Sequence, residues 1–207
     1  PKKRIQELAD QPKRLLGQGQ VQAYLQFTSP VPPYPRDYKY RAADPALSMQ
    51  VLQAVIPVTA EEFIRKELLK PMGITHYHWQ EDLSGLPKSA AGSSILSRDM
   101  VKMGLLVLDG GKWKDKQHIP EAFVQKATAP IVQTNEENFY GYFWWSQNRE
   151  IEGKRYRIIQ GRGAGGQFIF MFPTLDLVVV ATAHNKGMGN MLKELPTRLV
   201  PAFAQTK

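Results

Sequence analysis

The sequence predicts an α+β fold: an antiparallel sheet packed by helices, with an adjoining helical subdomain. Three observations carry that prediction. Up to about residue 137 apolar residues recur at helical spacing between caps and Pro or Gly stops. After about residue 138 the pattern changes to short aromatic and β-branched runs separated by Gly, Pro, Asn or Asp. The connections between those runs are too short for the crossovers that parallel strands need.

The first region, residues 1–22, reads as a basic segment and linker. Lys2, Lys3, Arg4, Lys13 and Arg14 stand against Glu7 and Asp10, and the Gln-rich, Gly-punctuated residues 17–22 read as the linker. Residues 23–137 form a mainly helical region. Its run TSPVPPYPRDYKY is extended, because each proline fixes φ and removes a donor, and it delivers Tyr40 to a helix start. Asp44-Pro45 reads as N-cap and first helical residue, with Leu47, Val51, Leu52 and Val55 as the apolar face. Thr59 caps a second helix, with Glu61 and Glu62 in its first turn and Pro71 and Gly73 beyond its end. Residues 74–94 read as loop. Ser97-Arg98-Asp99 opens a helix with Met100, Met103, Leu105, Leu106 and Leu108 as its buried stripe, stopped by Gly110-Gly111. A short helix follows Ile119-Pro120-Glu121. Residues 138–207 hold the strands FYGYFWWS, RYRIIQ, QFIFMF and LDLVVVATA, then a closing helix over 188–204, bent or broken at Pro196.

Composition narrows the function classes. Apolar residues make up 43%, charged residues 22% and aromatics 10% of 207 residues, the proportions of a folded globular protein. Cys is absent, which excludes disulfides, thiolate metal sites and cysteine nucleophiles. Lys and Arg exceed Asp and Glu by 27 to 19, a net +8. Apart from the terminal segment the excess is scattered among acids, which reads as a solvated basic surface and not as a nucleic-acid stripe. No apolar run approaches the ~18 residues that span a bilayer.

Three constellations could carry chemistry. His76, His78, His118 and His184 lack the spacing and companion carboxylates of a metal site, and no cofactor is expected. Gly161, Gly163, Gly165 and Gly166 in QGRGAGGQF contain G-x-G, but a strand follows where a phosphate cradle needs a helix. Two readings stay open there: a hairpin turn that needs positive φ, or a strand edge smooth enough for a substrate to lie against, with a main-chain amide as oxyanion donor. Tyr40, at the junction of an extended segment and a helix, could present its hydroxyl to a cleft. Trp144 and Trp145, adjacent on a half-buried strand, must show one ring to each face, and Trp145 could line a pocket.

Five pieces in order resemble the serine β-lactamase-like superfamily of class C β-lactamases, penicillin-binding DD-peptidases, esterases and 6-aminohexanoate-dimer hydrolases. They are YKYRAADPAL, EEFIRKELLKPMGITHYHW, SAAGSSILSRDMVKMGLLVLDGGKW, YGYFWW and GRGAGGQFIFMFPTLDLVVV, within a resemblance that runs over residues 20 to 185. The resemblance implies a β-lactamase/transpeptidase-like fold and hydrolysis through an acyl-enzyme, in which a serine of Ser-x-x-Lys attacks a carbonyl while Lys and Tyr move the proton. It makes Tyr40 the catalytic tyrosine. It places Gly163, Gly165, Gly166 and Gln167 along the substrate strand, with Arg162 near the family's Lys or His and able to hold a carboxylate.

Two departures stand out. Ala42 replaces the family's Asn or Ser two residues after the tyrosine, and none of the eight serines is followed three residues on by Lys. The resemblance therefore implies the C-terminal portion of a serine hydrolase, incomplete at the N-terminus, with Ser-x-x-Lys and the first strands supplied by a preceding portion or a second chain. It implies a small ester, amide or peptide-like substrate and favours a periplasmic or secreted location. The alternative is a non-catalytic binding or scaffold relative.

Overall fold

The structure is a computed structural model that describes residues 19–30, 33, 38–82, 84–184 and 187–204. The expected properties of residues 1–18, and most of the Pro-rich segment, lie outside the described residues. Contacts divide the chain into two compact units, Pro1–Ile95 and Leu96–Lys207.

In the first unit, helix α1 covers Gly19–Phe27, so the linker expected over 17–22 is helical from Gly19 onward. Gly and Gln are weak local signals, and the continuing pattern through Tyr24 and Leu25 decides the segment. Helix α2, Ala43–Val55, starts two residues earlier than the Asp44 cap predicts. Ala42 takes the N-cap position without a side-chain bond, and Asp44 falls in the first turn, where its charge suits the positive helix end. The inward face also differs. Met49 is buried while Val51 and Val55 are exposed, because periodicity says which residues share a face but not which face turns inward. Helix α3, Ala60–Ile64, is capped as expected, with Thr59 Oγ1 accepting from the Glu62 amide at 3.2 Å. It runs into one wider π turn, Arg65–Leu69, in which the Lys70 amide reaches the Arg65 carbonyl. Gly73 ends it at φ +64°, and Leu69, Met72 and Ile74 are buried. The predicted loop after residue 74 holds a small ribbon instead, with β1 (Tyr77–Trp79) antiparallel to β2 (Ser93–Ile95). Strands of three residues fall below what alternation can reveal.

The second unit is a sheet between helices. Helix α4 covers Ser97–Leu108, and Gly110 and Gly111 close it at positive φ. A two-residue ribbon follows, β3 (Lys112–Trp113) with β4 (Lys116–Gln117), and then α5, Glu121–Thr128. Six strands form an antiparallel meander in chain order: β5 (Val132–Gln133), β6 (Asn138–Tyr140), β7 (Trp145–Ile151), β8 (Lys154–Gly163), β9 (Gln167–Phe172) and β10 (Leu177–Ala181). The run FYGYFWWS is thus two strands around a turn. A Cβ at Gly141 would lie 2.2 Å from the Ala127 carbonyl oxygen, so the chain can come this close to α5 only as glycine.

Strand alternation splits the core in two. Phe168, Phe170 and Phe172 of β9 face helix α6 (Gly189–Ala204), packing with Ile158, Val179, Leu195 and Val200. Each fully buried Phe is worth about 1.5–3 kcal/mol relative to exposure. Ile169 and Val178 face the other way, onto Gly104 of α4. The expected stripe on α4 holds for Leu106, while Leu105 is exposed. Helix α6 is continuous through Pro196, so the expected break does not occur, and it also contains Pro201. The reason lies on the sheet: Arg149 Nη1 donates to the Leu192 and Lys193 carbonyls at 3.2 and 2.9 Å, supplying the bond that Pro196 cannot.

Candidate functional site

In the first unit, Tyr40 stands three residues before α2 with its side chain 55% exposed. The main chain turns immediately after it, the Asp44 amide donating to the Arg41 carbonyl at 3.2 Å, and Arg41 Nη1 lies 3.5 Å from the Tyr24 hydroxyl. The position two residues after the tyrosine is the helix N-cap. Ala42 offers no side-chain acceptor there, and the Asp44 amide is instead met by the Arg41 carbonyl.

In the second unit, the other six residues singled out by sequence gather at one end of the sheet. The hairpin between β8 and β9 closes on the pair Gly163–Gln167. Gly165 and Gly166 take φ of +79° and +97°, so the turn reading is correct for them. Gly161 and Gly163 are strand residues. A Cβ on Gly163 would come within 2.9 Å of Gln167 Cβ, and one on Gly161 would touch the Trp144 ring at 3.4 Å. Gly166 packs on Ala183, just beyond β10, and the Gln167 amide nitrogen donates to the Ala183 carbonyl. The turn is thereby fixed to the strand two positions away.

Register exposes the strand edge. Pairing of β7 with β8 ends at Trp145–Gln160, while pairing of β8 with β9 continues to Gly163–Gln167. The strand β8 therefore runs three residues, Gly161 to Gly163, past the last residue that β7 matches in register.

Arg162 is held on three sides. Its Nε donates to Gln160 Oε1 and one Nη to Asn138 Oδ1, both at 2.6 Å, and its guanidinium lies 4.5 Å from the Trp145 ring centroid. Tyr140 meets Trp145 edge-on at 4.8 Å. Because Trp144 touches Gly161 and Trp145 touches Arg162, the two rings lie on opposite faces, as the sequence predicts. Sequence reasoning missed Gln160, which is fully buried, although two-residue spacing from Arg162 was signal enough. Asn138 could not have been found, since only the register of β6 brings it near.

Among the described residues no three of His, Asp and Glu gather to hold a metal ion, and no helix is long and apolar enough to cross a membrane.

A six-stranded antiparallel meander faced by helices, with a glycine-smoothed strand edge at one end, defines a β-lactamase/transpeptidase-like fold. The family profile named Beta-lactamase matches residues 4–200, and the chain belongs to that family, within the serine β-lactamase-like superfamily. No curated protein matches the sequence. Among solved structures it is similar to a putative 6-aminohexanoate-dimer hydrolase from Bacillus anthracis, with TM-score 0.71 and 19% identity over 89% of this chain and 48% of that one. A penicillin-binding protein from Bacillus halodurans gives TM-score 0.64 and 18% identity, over 90% of this chain and 65% of that one. A class C beta-lactamase gives 0.67 and 13%, over 88% and 62%. The chain thus spans about half the length of the first of these relatives and under two thirds of the others.

Proposed function

We propose that this chain is the C-terminal part of a serine hydrolase that cleaves a small ester, amide or peptide-like substrate through an acyl-enzyme, its Ser-x-x-Lys nucleophile lying outside these residues. The observation that carries the reading is the edge Gly161–Gly163, where β8 runs past the end of β7 with a glycine on either side of Arg162. Without side chains at 161 and 163, a substrate can lie antiparallel to that edge, and a main-chain N–H can receive the developing oxyanion. Arg162, Gly163, Gly165, Gly166, Gln167 and Trp145 form or support this edge. Gln167 acts by tying the turn to Ala183, and Arg162 by offering a guanidinium pre-oriented by Gln160, Asn138 and Trp145.

Tyr40 is the proton carrier in this reading. The serine hydroxyl adds to the carbonyl carbon and its proton passes to the departing alkoxide or amine, so an alcohol or amine leaves and the acyl group stays on serine. Water then adds to that ester, the acid leaves, and the proton returns to the serine oxygen.

A fluorophosphonate probe tests the reading on the full-length protein. Covalent labelling of one serine upstream of residue 1, blocked by a p-nitrophenyl ester or an amide substrate, is the expected result. A full-length product of only 207 residues, or no labelling of any serine, would overturn it in favour of a non-catalytic binding protein.

A further inference from the structure

Asn135 lies exposed on the turn that joins β5 to β6, and its side chain governs which way Asn138 faces. Its Oδ1 accepts from the Glu137 amide at 3.1 Å, from the Asn138 amide at 2.9 Å and from Asn138 Nδ2 at 2.9 Å. Thr134 closes the turn, donating through its amide and its hydroxyl to the Asn138 carbonyl at 2.9 and 3.1 Å.

These bonds leave one orientation for the Asn138 amide. Two of the donors to Asn135 are main-chain N–H groups, so the atom that they meet must be its oxygen. The third donor is then necessarily the Asn138 nitrogen, and the Asn138 oxygen turns the other way. There it meets Arg162, a residue that can only donate, with one Nη 2.6 Å from Asn138 Oδ1. The second acceptor of Arg162, Gln160 Oε1, is not fixed in this manner. Gln160 Nε2 is buried with no hydrogen-bond partner among the described residues, so no bond on its far side orients that amide. Of these two acceptors, only Asn138 has its orientation set by a bond that does not involve Arg162.

We propose that Asn135 is a positioning residue for Arg162, acting through Asn138. It presents the Asn138 oxygen to the guanidinium and so sets where the guanidinium stands, over the Trp145 ring at the glycine-flanked end of β8. The inference rests on the hydrolase reading above, in which Arg162 meets the substrate, and adds a residue one step removed from it. Without Asn135 the Asn138 amide is free to turn over and aim N–H groups at a guanidinium that has only N–H groups to offer.

The test replaces Asn135 in the full-length protein and follows Arg162 in two ways. In Asn135→Ala, hydrogen exchange of the Arg162 Nε–H, followed by NMR and assigned by its loss in Arg162→Lys, should quicken by about three- to tenfold. KM for a hydrolysed p-nitrophenyl ester should rise by a similar factor of about three to ten, with kcat within about twofold, because a binding group has been loosened. Asn135→Asp keeps the acceptor oxygen and should leave both readouts at parent values. Adding Asn138→Asp to Asn135→Ala should restore both, since a carboxylate shows Arg162 an oxygen whichever way it turns. Unchanged exchange and KM in Asn135→Ala would overturn the proposal. So would a loss that Asn138→Asp does not repair, which would make Asn135 a turn residue only. If the full-length protein hydrolyses no ester, or Arg162→Ala leaves KM unchanged, the hydrolase reading of Arg162 falls. The Nε–H exchange in parent, Asn135→Ala and the double variant then decides the positioning inference by itself.

Discussion

Arg149 supplies from the sheet the hydrogen bond that Pro196 withholds inside its own helix. Pro196 has no N–H for the Leu192 carbonyl, and Arg149 Nη1, projecting from β7, stands 3.2 Å from that oxygen and 2.9 Å from the Lys193 carbonyl. A sheet residue thus completes the backbone of α6, and Pro196, itself buried, can pack without breaking the helix.

Arg149→Ala should therefore destabilise the protein by about 1–3 kcal/mol, the cost of stranding the partly buried Leu192 carbonyl. In a Pro196→Ala background the helix regains its own donor, and the same substitution should cost measurably less. Urea unfolding of the double-mutant cycle reads the coupling; strict additivity would mean that Arg149 acts elsewhere.

Gly104 is a packing requirement of a different kind. A Cβ there would lie 2.5 Å from Val178 Cγ1 and 2.9 Å from Ile169 Cγ2. Gly104→Ala should cost about 1–3 kcal/mol by overpacking between α4 and the sheet, although alanine favours the helix. Val178→Ala should recover part of that loss when combined with it, as thermal melts of the two single variants and the pair would show.

At Arg162, charge alone is insufficient. Lysine cannot donate to Gln160 and Asn138 together or lie flat on Trp145. Arg162→Lys should lose about 1–2 kcal/mol in chemical denaturation, because Gln160 is fully buried and its Oε1 loses this donor. A fully stable lysine variant would show that the three contacts are incidental.

Tyr40 offers the reverse combination. Its side chain is largely exposed, so Tyr40→Phe should leave the melting temperature of the full-length protein within about a degree. Under the proposed mechanism kcat/KM should fall by about 10²–10⁴-fold, the usual contribution of a positioned proton carrier. Undiminished ester hydrolysis would remove Tyr40 from that role.

Much of the fold was legible because its signals are local. Thr59 three residues before Glu62, the Gly110-Gly111 stop and the alternation of Phe168, Phe170 and Phe172 each depend on neighbours in sequence. The misreadings depend on distant partners. A break at Pro196 was open because Arg149, 47 positions away, is invisible to a helix propensity, and Gly141 looked like a strand residue because its reason is the Ala127 carbonyl. The candidate site divides the same way. The opposed faces of Trp144 and Trp145 follow from strand periodicity, whereas the approach of Asn138 and the overhang of β8 past β7 exist only once register is fixed.

The turn over 141–144 is seated against α5 by main-chain contact, through the missing Cβ of Gly141 and the Tyr142 amide, and by the Tyr142 ring, which lies 6.2 Å from the Phe123 ring and 5.7 Å from Lys126 Nζ. A side chain at 141 would push this turn off the helix, so the point at which β7 begins is set by α5 as much as by the neighbouring strands.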